Sequence, residues 1–172
     1  RVLFERYLRL LGNNATVSQQ LLFPERIELS PADGRLMAEI REELSSLGFE
    51  FSANGPAGVT AENGPADNKG AGEGVTYEIT GIPPELPAGM VQDALHEAIA
   101  RVRELGGVPE SEKVRDLAAI LARRGASGAA KIDEAAVAPL LDELASCNEP
   151  AFTPSGRAVL IRITREELTK RF

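Results

Sequence analysis

Cysteine and histidine are each present once in this chain, and long apolar runs are missing altogether. The single cysteine, Cys147, excludes an internal disulfide and any cysteine-rich zinc site. The single histidine, His96, precedes Glu97 but has no second histidine four residues on, which excludes the two-histidine helix of zinc peptidases. It also leaves Ser155 and Asp142 without a base for a nucleophilic triad. No apolar stretch approaches the roughly 18 residues of a membrane span, and no basic-then-apolar leader opens the sequence. These absences predict a soluble, cytoplasmic protein kept reduced, with no membrane contact and no cofactor.

Positive charge is also in deficit. Nineteen Lys and Arg face 26 Asp and Glu, giving a formal net charge of -7 and a pI near 4.9. The summed field repels phosphate, so autonomous DNA binding is predicted to be weak or absent. Arg101 with Arg103, Arg123 with Arg124, and Lys170 with Arg171 form basic pairs, which solvated helix faces and helix C-termini account for.

With 172 residues and 43% hydrophobic content, the chain can bury a core as one domain or two small lobes. Leu3, Tyr7, Leu8 and Leu11 recur at helical spacing before Gly12. Residues 19–29 alternate around Leu21, Phe23, Ile27 and Leu29, and Pro24 makes this an edge strand or two short pieces. Ser30, Pro31 and Asp33 start a helix whose stripe is Leu36, Ile40, Leu44 and Leu47, ending at Gly48. Residues 49–51 and 75–79 read as a hairpin. The glycine-rich connection 53–74 lacks the lysine and hydroxyl of a phosphate loop and predicts a mobile insertion.

Residues 90–105 and 111–124 are amphipathic helices predicted to cover a sheet. Residues 133–144 read as a further helix, with Pro139 as a point of kinking or restart. Residues 159–163 read as a strand, and Thr164 with Glu167 is a capping box for a final helix. The order predicts an α+β fold with helices packed on mainly antiparallel sheet.

One hexapeptide stands out: Gln19-Gln20-Leu21-Leu22-Phe23-Pro24. A glutamine, an aliphatic pair, a large apolar residue and a proline resemble a peptide that docks on a bacterial replication sliding clamp. The amide can hydrogen-bond at one subsite while the apolar side chains fill a groove, and proline limits the entropy lost. A buried strand with leucines in the core is the competing reading. Taken with residues 1–7 and the segment Thr153-Pro154-Ser155-Gly156-Arg157-Ala158 before 159–163, the motif resembles the C-terminal domain of the MutL family of DNA mismatch repair proteins.

That resemblance implies two lobes: a dimerisation lobe from residues 1–12 and 123–172, and an inserted regulatory lobe of residues 13–122. It implies that a strand and turn precede residue 1. It implies a homodimer with Val159, Leu160 and Ile161 in the interface sheet, and clamp contact through Gln19, Leu21, Leu22, Phe23 and Pro24. A MutS-type mismatch recognition protein, mismatched DNA and ATP would be engaged through the full-length protein.

Many members of that family are metal-dependent nicking endonucleases, and the resemblance locates what would be their ligands. Thr153 and Ser155 stand at a cysteine and a histidine position, and Arg123 at a second cysteine position. Thiolate and imidazole hold zinc; a hydroxyl and a guanidinium do not. Glu5 matches one glutamate of the site and reads here as a surface helix residue, while Cys147 reads as a small semi-buried side chain. The implied protein is therefore an interaction domain with no catalytic, cofactor or metal residue. A nicking endonuclease with divergent ligands and a small-molecule-binding regulatory domain remain open as alternatives.

Overall fold

The computed structural model describes residues 1–13, 16–52, 74–106, 110–127 and 133–170. The insertion expected to be mobile lies outside these residues except for Gly74, as does Arg171 of the C-terminal basic pair.

Helix α1, Val2–Asn13, buries Phe4 and Tyr7 completely and its leucines in part. Strand β1, Gln19–Leu29, follows. Helix α2, Pro31–Glu39, begins as its sequence requires, with the Ser30 hydroxyl accepting the Asp33 N–H at 3.2 Å. The single helix expected to Leu47 is in fact two, because Ile40 leaves helical geometry at φ -103°, ψ 10° before α3, Arg41–Ser46. Ile40, Leu44 and Leu47 of the expected stripe are buried across the break, while Leu36 is half-buried and Met37 beside it takes the buried place. Gly48 then turns the chain at φ +105°, where a side chain would also run into the Val17 carbonyl.

Strands β2, Glu50–Phe51, and β3, Val75–Ile82, complete an antiparallel sheet of order β1-β3-β2. The expected edge position of β1 holds. A 3-10 turn at Ala88–Met90 leads into α4, Val91–Glu104, and α5, Glu110–Ser127, follows. Ile27, Leu29, Tyr77 and Ile79 of the sheet join Leu95 and Ile99 of α4 in one apolar cluster, which continues through Leu117 and Leu121 of α5 to Phe4 and Tyr7 of α1. Full burial of each such side chain contributes about 1.5–3 kcal/mol, so this cluster carries the fold. The architecture is a small antiparallel sheet with helices packed against it.

Residues 133–170 differ in kind. Helix α6, Glu134–Ala145, runs through Pro139 without interruption, and α7, Arg165–Thr169, starts with the expected Thr164–Glu167 capping box. No residue of this arm is fully buried. The strand expected over 159–163 does not form; the only pairing here among the described residues is an isolated bridge between Phe152 and Ala158. The Val159 and Leu160 N–H groups both turn to the Ala151 carbonyl, at 2.8 and 3.4 Å, and two bonds converging on one carbonyl do not make the ladder that a strand needs.

Candidate interaction site

The hexapeptide sits where β1 loses register with β3. Gln20 pairs with Gly81 and Glu25 with Ile79, so five residue steps on β1 run against two on β3. Residues 21–24 lie in the unpaired bulge between these two pairs. Bulges bend a strand and redirect its side chains, and Pro24, with no N–H to give a ladder, is tolerated here. Leu22 is 88% exposed and Phe23 79% exposed, while Leu21 turns partly inward against the core. Gln19 and Pro24 are exposed as well, and the Gln20 amide donates to the Glu50 carboxylate. A regular alternation would have put Phe23 on the face of Ile27 and Leu29; the bulge takes it out of that face.

The arm carries the second apolar surface. Val159, Leu160 and Ile161 are 40%, 49% and 79% exposed, with Leu141 and Phe152 also in solvent.

A third region is the turn at 153–157. The Thr153 N–H donates to the Arg157 carbonyl at 2.7 Å, and the Arg157 N–H returns to the Thr153 hydroxyl at 2.9 Å. Gly156 takes φ +79° at the apex, and the Thr153 and Ser155 hydroxyls share a 3.0 Å hydrogen bond. Both residues, with Phe4, Arg101, Arg123 and Arg157, line a cavity of about 680 Å³. Arg101 is held by Asp116 at 2.6 Å and Glu104 at 3.0 Å. Glu97 takes Arg123 on one oxygen and Arg124, at 2.8 Å, on the other. The 123–124 pair is more than a solvated helix face, because Glu97 makes it a cross-link from α5 to α4.

Glu5 overturns its expected place on the surface: it is 7% exposed. Its carboxylate accepts the Asn148 N–H at 2.8 Å, the Glu149 N–H at 3.3 Å, and the Arg1 Nε at 2.8 Å. Burial alone would raise its pKa, but the Asn148 N–H, Arg1 and the Glu149 N–H together hold it below the ordinary carboxylate value. No local sequence signal marks this role, since both backbone donors lie more than 140 residues away. Cys147 is half-buried as expected, with burial first and the negative charge of Glu5 second pushing its thiol pKa up. His96 is exposed. Among the described residues no group of three or more His, Cys, Asp or Glu is placed to hold a metal ion. No helix among them is long and apolar enough to cross a membrane.

Comparison with known proteins bears on these surfaces. The family described as the MutL C terminal dimerisation domain matches residues 1–132. DNA mismatch repair protein MutL of Bacteroides fragilis (strain YCH46) is 30% identical over 179 residues, covering 100% of this chain and 25% of the relative. MutL of Pelodictyon phaeoclathratiforme is 31% identical and that of Chlorobaculum parvum 32% identical, each over 173 residues with the same coverage. The chain thus spans about a quarter of the length of these relatives. With more than half its length matched by the family and its whole length aligned to these repair proteins, the chain belongs to the MutL C-terminal dimerisation domain family.

Proposed function

We propose that this chain is an interaction domain of a DNA mismatch repair protein, which pairs two copies of that protein and docks them on the replication sliding clamp. The observation that carries the clamp half is the outward bulge of β1, with Leu22 88% and Phe23 79% exposed. Two large apolar side chains in water, followed by a proline and preceded by an exposed glutamine, suit a groove that takes an extended peptide. The apolar arm supports the pairing half, with Val159, Leu160 and Ile161 at the contact between copies. In this reading residues 1–12 and 123–172 serve dimerisation and residues 13–122 serve regulation. A MutS-type protein, ATP and mismatched DNA would be engaged by the longer protein of which this domain is part.

A divalent metal does not suit the residues at the positions where nicking relatives would hold it. Arg123 brings a fixed positive charge there and is already paired with Glu97. Thr153 and Ser155 offer neutral hydroxyls bonded to each other. Both Glu5 oxygens accept hydrogen bonds from the protein. The domain would therefore hold and position partners rather than cut DNA.

The deciding experiment measures binding of the chain to a purified sliding clamp beside the Gln19→Ala/Leu22→Ala double variant. Binding that is present in the first and lost in the second supports the reading; equal binding by both removes the motif from it.

A further inference from the structure

The arm of residues 133–170 has no fully buried side chain, and Leu144, Cys147 and Pro150 are only half-buried, so apolar burial constrains its stand against α1 weakly and polar links carry more of it. Arg6 reaches Glu143 of α6 at 3.1 Å, and Arg1 reaches Glu149 at 3.2 Å. The two acids are 52% and 64% exposed in their side chains, and ion pairs with one partner in solvent hold geometry loosely.

Glu5 is different. Its side chain is 9% exposed, and its two oxygens take the N–H groups of two successive residues just beyond the end of α6. Two charge-assisted bonds from one planar carboxylate fix a direction as well as a distance, and water cannot easily replace them in a buried place. Arg1 grips the same carboxylate through Nε at 2.8 Å and Nη2 at 2.7 Å, which keeps it charged and oriented.

We propose that Glu5 is a positioning residue: by clasping the Asn148 and Glu149 N–H groups to α1 it sets the direction of the C-terminal arm, and so presents Val159, Leu160 and Ile161 to a second copy of the chain. The presentation to a second copy rests on the homodimer reading; the clasp itself does not.

The test is amide hydrogen exchange together with sedimentation equilibrium on the whole chain, unmutated and as Glu5→Ala and Glu5→Gln. In Glu5→Ala, exchange at Asn148 and Glu149 should rise at least tenfold and self-association weaken at least tenfold, while exchange at Ile27 and Ile79 in the sheet stays within about twofold, since local opening is separable from global unfolding. Glu5→Gln keeps one carbonyl acceptor and should fall between; it decides the matter on the same criteria if Glu5→Ala loses its sheet protection. Unchanged protection at 148 and 149 in the variants would overturn the clasp. Lost protection with undiminished self-association would overturn its role in pairing. An unmutated chain that is monomeric at every concentration would defeat the homodimer reading, and with it the presentation to a second copy, while exchange alone would still decide the clasp.

Discussion

Gln20 and Glu25 are five residues apart on β1, yet their partners on β3, Gly81 and Ile79, are only two apart. The surplus residues leave the ladder there, and Leu22 and Phe23 among them stand in solvent.

Replacing Gln19 and Leu22 by alanine should therefore separate binding from stability. Loss of an amide contact and an apolar anchor is expected to weaken clamp binding by roughly 1–3 kcal/mol per side chain. Because Leu22 is 88% exposed, the melting temperature should move little, as surface substitutions usually stay within about 0.5 kcal/mol. A fall of about 2–5 kcal/mol in stability is what a buried leucine would give, and calorimetry showing that would put Leu22 back in the core.

Ile161→Asp should release monomers without unfolding them. The side chain is 79% exposed, so a carboxylate there disturbs no described packing but would be buried unpaired between two copies. Light scattering across a concentration series reads the result. A dimer that tolerates the aspartate would place the contact elsewhere.

Elemental analysis should find no stoichiometric zinc, and manganese should not support nicking of supercoiled DNA. The basis is Arg123 paired to Glu97, and Thr153 hydrogen-bonded to Ser155. About one zinc per chain together with manganese-dependent plasmid relaxation would reverse this expectation.

The Glu5 clasp should loosen in acid. Its folded pKa lies below the ordinary value of 4.5, so the unfolded or released state binds the proton more readily. Its stabilisation is then fully present above that ordinary value and disappears as pH falls through the folded value. Amide shifts of Asn148 and Glu149 should hold steady from neutral pH down to the ordinary carboxylate range and change below it. A transition near neutral pH would point to a different group.

Gly48→Ala should destabilise the body by more than about 1 kcal/mol, because alanine cannot adopt φ > 0 without strain. Gly48 sits at φ +105° with the Val17 carbonyl against the place a Cβ would take. An unchanged denaturation midpoint would show that the turn can rearrange.

Local chemistry wrote much of this protein into its sequence. Ser30, Pro31 and Asp33 start α2, and Thr164 and Glu167 start α7, because capping needs only neighbours within one turn. Apolar spacing marked α1, α4 and α5, and Pro24 marked β1 as an edge. The hexapeptide 19–24 was legible as residue types, though its exposure was not. What the sequence could not decide depended on partners distant along the chain. Phe23 faces water because of where pairing with β3 resumes, at Ile79, 56 residues away. The break at Ile40 leaves Ile40, Leu44 and Leu47 buried, so spacing alone could not reveal it. Residues 159–163 have the composition of a strand, but a strand also needs a neighbour, and composition does not supply one. Glu5 looked like any helical glutamate until folding brought it to the N–H groups of Asn148 and Glu149, because burial and hydrogen bonding belong to the assembled structure and not to the residue.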